Sequence, residues 1–165
     1  MNIFYLDHDP RKAAEFQVDR HVVKMPLETA QLLSTAHRCL DGPVWADEVG
    51  LYKATHISHP CSVWVRESVC NYKWLYSHFL GLLDEYTQRY HKTHACEALT
   101  GRLWHVPDYI PQVPMTKVRL AMPDEYKVED SPVESYRNYY RMGKAHLHSW
   151  KTRGIPQWLD NHTKP

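Results

Sequence analysis

The sequence has no apolar stretch long enough to cross a membrane and no export signal at its start. A membrane-spanning helix needs about 18 or more consecutive apolar residues, and no run in the 165 residues approaches that length. The first residues, MNIFYLDHDPRK, lack a basic start followed by an apolar run. We therefore expect a cytoplasmic protein with no membrane partner.

Cysteine is sparse, and no internal repeat of solenoid length is present. The four cysteines, Cys39, Cys61, Cys70 and Cys96, are scattered, whereas disulfide-stapled secreted domains space them densely, so we predict free thiols. The hydrophobic and charged fractions of 43% and 24% are those of an ordinary globular chain. A chain of this size predicts one domain over residues 1–165, and we expect a monomer.

The sequence also has no large excess of positive or negative charge, since the formal net charge is only +1. Binding of a polyanion depends on where charge lies rather than on the sum, so the local distribution has to decide. Aromatic and imidazole side chains are abundant, with 12 His, 6 Trp and 11 Tyr. These side chains combine stacking faces with polar tips, which suits a base, a sugar or a phosphate as ligand.

Caps, prolines and apolar spacing predict an all-α fold with one long irregular segment. Asp9 followed by Pro10 predicts a helix start, and Ser131 with Glu134 forms a capping box. Pro26 is expected to kink the second helix or to mark its first turn. The predicted helices span about 10–17, 19–40, a region from 58 to 86 that is one long helix or two abutting ones, and 132–150.

Proline also marks the parts of the chain that are not regular helix. Prolines at 107, 111, 114 and 123 rule out a helix over 106–130, so we expect this segment to run over the surface. The closing segment, 154–165, contains Trp158 and Leu159 and is expected to dock back on the body.

The second predicted helix carries one polar line on an otherwise apolar surface. A carboxylate or an amine beside apolar walls becomes a better acid or nucleophile near neutral pH, and Lys24 and Glu28 lie one turn apart. We therefore predict that this line faces a cleft and carries chemistry. The alternative is an exposed ion pair with His21 as a core residue. At steps of three and four, the line contains His21, Lys24, Glu28, Gln31, Thr35 and Arg38.

The end of the chain is locally basic and aromatic. Between Ser135 and Leu159 there are five Lys or Arg residues and no acidic residue, and cations beside stacking platforms suit flipped or single-stranded nucleic acid. A solvated basic face with core aromatics is the alternative. The predicted DNA- or phosphate-binding residues are Arg38, Arg137, Tyr140, Arg141, Lys144, Lys151 and Arg153.

Two short strings share the order His, two residues, His, one residue, Cys. They could together supply soft ligands to zinc, although neither has the spacing of a zinc finger or ribbon. We predict no cofactor and no metal, with zinc as the alternative on His56, His59, Cys61, His91, His94 and Cys96.

The string DRHVVKMPLETAQLLSTAHR, followed by DYIP at Asp108 and YRNYYRMGKA at Tyr136, resembles the pyrimidine-dimer DNA glycosylase family of phages. The resemblance implies an all-helical fold, with His21 and Glu28 at the positions of the family histidine and catalytic glutamate. It also places Tyr139, Tyr140, Gly143 and Lys144 in the family's aromatic closing segment. The chain is similar to small tailed-phage proteins as well, which would place it in an infected bacterial cell.

The mechanism that the resemblance implies uses a free N-terminal amine to attack the sugar C1′, a glutamate to manage protons, and no metal. This chain departs from the family at its second residue, because Asn2 would leave Met1 in place where the family exposes a small residue. Leu27 and Gln31 also replace family arginines. The amine is then that of Met1, or Lys24 replaces it, because burial lowers the pKa of a lysine amine.

Three hypotheses follow for function. The first is a base-excision glycosylase and lyase acting on an extruded or damaged pyrimidine in DNA, with Met1 or Lys24 as nucleophile, Glu28 as acid or base and His21 in support. The second is a phage transferase that modifies a DNA base on the same scaffold. The third is a DNA-binding or host-interaction protein without catalysis.

Overall fold

Helices and turns make up the computed structural model, which describes residues 1–160, and no strand occurs within that range. The predicted all-α fold is therefore confirmed. The helices are α1 (Pro10–Glu15), α2 (Asp19–Asp41), α3 (Pro43–Glu48), α4 (Pro60–Glu67), α5 (Val69–Tyr90), α6 (Thr100–Leu103), α7 (Pro132–Asn138) and α8 (Gln157–Asp160). Three 3-10 turns, Ala95–Leu99, Asp124–Tyr126 and Ala145–Leu147, and one π turn, Tyr139–Gly143, complete the helical structure.

The first two helices follow the sequence pattern closely. The Asp9 side chain accepts hydrogen bonds from the backbone N–H groups of Arg11 and Lys12, at 2.8 and 3.2 Å. Pro26 lies well inside α2, so it does not mark the first turn of that helix. Gly42, at a φ of 79°, ends α2 with a left-handed backbone that favours glycine.

The region after residue 58 forms two abutting helices, which resolves the alternative left open by its pattern. Ser68 is extended, with φ −154° and ψ 140°, and separates α4 from α5. Its hydroxyl accepts a 3.0 Å hydrogen bond from the N–H of Cys70. The serine therefore ends one helix and caps the next.

The core lies where α5 packs against α1 and α2, with α4 against α2. Gly81 of α5 lets α1 approach closely, because a Cβ at this position would meet the Cβ of Ala14 at 3.0 Å. Large aromatic side chains of this core, among them Trp64, Tyr72 and Phe79, are fully buried. Among the helices within residues 1–160, none combines the length and apolar character that a membrane span requires.

The proline-rich segment 106–130 is irregular apart from the Asp124–Tyr126 turn, as its prolines predict. It is held to the helices at defined points. Both carboxylate oxygens of Asp41 accept backbone N–H groups, those of Asp108 and Tyr109, at 2.7 and 3.0 Å. The loop is thus tied to the last turn of α2.

The predicted helix from Pro132 to about Trp150 is wrong in its length. Helix α7 ends at Asn138, and the wider π turn follows, in which the N–H of Lys144 bonds to the carbonyl of Tyr139. In this turn Tyr139 and Tyr140 both approach the Phe4 ring, with centroids 6.2 and 5.5 Å away. Contacts with the start of the chain therefore accompany the departure from regular helix.

A buried ionic cluster attaches residues 149–151, just before the closing segment, to the helices. Arg89 of α5, with no side-chain exposure, pairs with Asp19 at 3.2 Å and Glu85 at 3.0 Å. Asp19 also accepts hydrogen bonds from the Ser149 hydroxyl and the Lys151 N–H. The predicted docking of the closing segment holds at Trp158 and Leu159, which are buried, whereas 161–165 lie outside the described residues.

Candidate active site

A small cavity opens beside the start of the chain, between α2 and the π turn. Its volume is about 150 Å³. It brings part of the polar line on α2 together with part of the basic, aromatic end of the chain. The side chains that carry its chemistry are Met1, His21, Lys24, Glu28, Tyr139 and Lys144.

The α-amine of Met1 is held in this cavity by the residues that follow it. The Asn2 side-chain oxygen accepts hydrogen bonds from the N–H groups of Ile3 and Phe4, at 2.7 and 2.9 Å. Its amide group donates to the carbonyl of Ala121 at 2.8 Å. Phe4 takes a left-handed backbone, with φ 56°, which folds the first residues back toward α2.

Glu28 is the acidic group of the cavity and is nine-tenths buried. The nitrogen of the Met1 amine lies 3.3 Å from Glu28 Oε1. Glu28 Oε2 lies 3.9 Å from the ammonium of Lys24 and has no hydrogen-bond partner within the described chain. One oxygen is therefore engaged by an amine, while the other can still accept or deliver a proton.

Lys24 does not meet the condition under which it would replace the N-terminal amine. That condition is burial of the lysine side chain, whereas the side chain is 68% exposed. The Met1 side chain is only 2% exposed and packs against the core. Of the two amines, that of Met1 is the one held in place beside the carboxylate.

His21 is a neutral, structurally fixed member of the site. Burial, together with the positive charges of Lys144 and Lys24, lowers its pKa to about 3. Its ring stacks on Phe4 at 4.3 Å, and its Nδ1 lies 2.6 Å from the Tyr140 hydroxyl. The ring thus supports the cavity wall without carrying charge at neutral pH.

Tyr140 was predicted to contact DNA, and that prediction is wrong because the side chain is fully buried. Burial raises the pKa of its phenol, which stays protonated. The Val18 N–H donates to the phenol oxygen at 3.1 Å, so the hydroxyl is free to donate to His21 Nδ1. Tyr140 therefore orients the histidine from a position 119 residues later in the chain.

Lys144 is the predicted basic residue that reaches the cavity. Its ammonium lies 5.1 Å from the centre of the Tyr139 ring, which in turn stacks on Tyr126 at 5.4 Å. Within the described chain Lys144 forms no ion pair. A cation beside an aromatic wall is thus available to an anionic ligand at the mouth of the cavity.

Most of the other predicted phosphate-binding residues are engaged in internal contacts. Three arginines of the segment 135–159 pair with acidic residues that lie outside this segment. A count of the charges within the segment does not reveal these pairs. Lys151 is exposed, with its ammonium over the Tyr90 ring at 5.0 Å. The pairs are Arg137 with Asp7, Arg141 with Glu134, Arg153 with Glu85, and Arg38 with Asp47.

The polar line on α2 is divided between two tasks. Its first half, from His21 to Glu28, faces the cavity. In its second half, Thr35 accepts a hydrogen bond from the N–H of Thr55 at 3.2 Å, and Arg38 donates to the carbonyl of Tyr52 at 2.7 Å. The second half therefore holds the segment that follows α3, and the predicted cleft-facing line is shorter than its spacing suggested.

The two His–Cys strings act as helix caps in the structure. His59 Nδ1 accepts from the N–H of Cys61, and His94 Nδ1 accepts from the N–H of Cys96, each at 3.1 Å. No group of three metal-ligating side chains is brought together among residues 1–160. The zinc alternative, which requires both strings to share one ion, is therefore not supported by their placement.

Phe4 and Asn2 are parts of the site that sequence reasoning missed. Both lie before the first predicted helix, where no role in holding the amine was predicted for them. The left-handed backbone of Phe4 and the bond from Asn2 to Ala121 depend on contacts with distant parts of the chain. An asparagine directly after the first residue is the one local signal, since its side chain readily hydrogen-bonds to neighbouring backbone groups.

Comparison with known proteins identifies the family of the chain. The family model for pyrimidine dimer DNA glycosylases matches residues 1–98, which is more than half of the chain. This range contains Met1, His21, Lys24 and Glu28. No curated protein and no solved structure matches the chain. The chain belongs to the pyrimidine dimer DNA glycosylase family.

Proposed function

We propose that the protein is a base-excision glycosylase and lyase that acts on a damaged or extruded pyrimidine in DNA, with the Met1 α-amine as nucleophile. The observation that carries the proposal is the 3.3 Å approach of this amine to a buried carboxylate, Glu28, inside a cavity. Family membership supports a DNA substrate and base excision as the reaction class.

The choice of Met1 over Lys24 rests on placement and on the chemistry of amines. An α-amine is ordinarily deprotonated at a lower pH than a lysine side chain, so more of it is nucleophilic near neutrality. The Met1 amine is also held by a short chain with a fixed backbone, whereas Lys24 carries its amine on a flexible, exposed stem. A fixed nucleophile loses less freedom on reaching the sugar.

The reaction we propose proceeds in successive steps at C1′ of the sugar. The Met1 ammonium passes a proton to Glu28, and the neutral amine attacks C1′. The bond from C1′ to the pyrimidine breaks, its electron pair goes to the base, and Glu28 returns the proton to the base nitrogen. Glu28 removes a proton from the new C–N centre and a proton is returned to the ring oxygen as the sugar opens, which leaves an imine. Loss of a C2′ proton then expels the 3′ phosphate, and water releases the amine.

The supporting residues have separate roles in this proposal. His21 fixes the wall of the cavity in a neutral form, and Lys144 binds a phosphate that flanks the target nucleotide. Tyr139, stacked on Tyr126 at the same edge, offers an aromatic face next to that cation. These groups would place the backbone and the sugar beside the amine.

Reductive trapping tests the proposal directly. With borohydride and a duplex that contains an abasic site, we expect a covalent protein–DNA adduct, because the reductant converts the imine to a stable amine. Trypsin then locates the bond: an adduct on peptide 1–11 assigns Met1, whereas an adduct on Lys24 blocks cleavage there and appears on peptide 21–38.

The other functions are outcomes of the same experiment. Absence of an adduct while the DNA remains bound would contradict the lyase and favour a base-modifying transferase or a binding protein without catalysis. An adduct only on peptide 21–38 would keep the lyase but replace its nucleophile. An intact mass measurement beforehand shows whether Met1 is present.

Two basic residues provide a matched test of the DNA-binding surface. Replacing Lys144 by Ala should weaken binding and reduce the slope of log affinity against log salt by about one, as loss of one phosphate contact predicts. Replacing Arg141 by Ala should instead lower the free energy of unfolding by about 1–3 kcal/mol, because Arg141 bonds to Glu134 and to the carbonyl of Trp158. Titrations at two salt concentrations and thermal melts measure both. A lowered salt slope for Arg141→Ala alone would contradict this assignment.

A further inference from the structure

A second cleft lies near the C-terminal end of α2, away from the amine cavity. Its volume is about 400 Å³, within the range of sites for small organic ligands. None of the residues that line it lines the amine cavity. His37, in its wall, follows Glu28 by nine positions, or about 13 Å along the helix axis. The side chains that define it are His37, Asp41, Trp45, His105, Asp108 and Tyr109.

Flat aromatic rings form the walls of this cleft. The Trp45 ring lies 4.9 Å from that of His37 and 6.2 Å from that of His105. Tyr109, which is 77% exposed, stands at the rim, and exposed Trp104 lines an adjoining groove that shares His105 and Asp108. Walls of this kind suit a planar heterocycle that stacks on them.

The hydrogen-bonding capacity of His37 is only half used. The Tyr72 hydroxyl donates to the carbonyl of Leu103 at 2.7 Å, so His37 Nε2, 2.9 Å away, donates to the tyrosine oxygen. Burial lowers the pKa of His37, so its ring is neutral and Nδ1 carries a lone pair. This nitrogen is buried and has no partner within residues 1–160, while the residue is 2% exposed. A buried acceptor without a donor is an unusual feature that a ligand N–H would satisfy.

The cleft is already formed and carries negative charge. Asp41 holds the loop in place by accepting the N–H groups of Asp108 and Tyr109, and Asp108 adds a second, exposed carboxylate. No lysine or arginine lines this cleft, and Lys73 lies in the adjoining groove. Carboxylates attract N–H donors and repel phosphate groups.

From these observations we infer that the cleft binds a phosphate-free nucleobase or nucleoside that carries an exocyclic amino group. Such a ring stacks on one aromatic wall of the cleft, and its amino hydrogens are directed to the His37 lone pair and the Asp108 carboxylate. Uridine offers one N–H between two carbonyl oxygens, which a carboxylate disfavours. The site is independent of base excision at the amine cavity.

Calorimetric titration of the full-length protein tests this inference. We expect adenosine and cytidine to bind, and uridine and AMP to bind at least about tenfold more weakly. A short deoxyadenosine oligonucleotide distinguishes a base within DNA from a free nucleoside and should be no better than AMP. Absence of adenosine and cytidine binding would overturn the inference, and tighter binding of AMP or the oligonucleotide would overturn its phosphate-free character.

Substitutions in the cleft and one NMR signal test whether adenosine binds there. Asp108→Asn and Tyr109→Ala change exposed residues and should each weaken adenosine binding several-fold, whereas Asp130→Asn, the same charge change elsewhere on the surface, should not. The ¹⁵N signal of His37 Nδ1 should shift on saturation with adenosine. Unchanged affinity in both cleft variants, or an unmoved His37 signal, would contradict the site. Glu28→Gln should bind adenosine normally, which separates this result from the fate of the excision proposal.

Discussion

Replacing Glu28 by Gln should lower the rate of base release and strand cleavage by about 10²–10⁴-fold, the usual contribution of a positioned acid or base. Glutamine has nearly the same shape but cannot take up a proton, and it cannot pair with the Met1 amine 3.3 Å away. Single-turnover assays on a duplex with a damaged pyrimidine give the rate of base release, and the same assays on an abasic duplex give the rate of strand cleavage. Equilibrium binding to these duplexes gives the affinity, which should change little.

The control for this variant is Glu129→Gln, which makes the same change at an exposed position. It should behave as the unmodified protein in both assays. A Glu28→Gln protein that retains full activity would remove the carboxylate from the mechanism. Loss of affinity equal to the loss of rate would assign it a structural part in forming the cavity.

Blocking the Met1 amine should abolish the trapped adduct. A leader that a protease removes to regenerate Met1 turns the amine into an amide, which is not nucleophilic, and adds chain where the structure has a cavity of only about 150 Å³. The adduct should be absent before cleavage and present after it. Comparing the same preparation before and after removal of the leader separates chemistry from failure to fold.

Lys24→Met is the matched variant for this experiment. Because Lys24 is exposed and 3.9 Å from Glu28, its removal should leave the adduct on peptide 1–11 and change the rate only modestly. An adduct that persists with the leader in place and vanishes in Lys24→Met would transfer the role of nucleophile from the α-amine to the lysine.

Local signals predicted those parts of the fold that local contacts determine. Asp9 and Pro10 mark the start of α1, and α2 has nearly the predicted bounds because its apolar spacing and the glycine that ends it, Gly42, are local in sequence. The extended Ser68 was not predicted, although the possibility of two helices was. Short helices such as Pro43–Glu48 were not predicted, because they have too few residues to show the hydrophobic periodicity of a helix.

Only the wall of the site that α2 contributes could be predicted from the sequence. The spacing of His21, Lys24 and Glu28 is visible in one helix, and the structure places these residues around one cavity. Tyr140 could not be assigned correctly, because its hydrogen bond to His21 joins residues 119 positions apart. The π turn that brings Tyr139 and Lys144 to the cavity likewise depends on packing against Phe4, for which a sequence pattern carries no signal.

The placement of the amine relies on residues outside the range that the family model matches. Asn2 donates a hydrogen bond to the carbonyl of Ala121, and the carbonyl of Leu6 accepts one from Arg137. His21 is hydrogen-bonded to Tyr140, which also lies beyond position 98. A nascent chain on the ribosome therefore cannot align the Met1 nitrogen with Glu28 until the last third of the sequence has been translated.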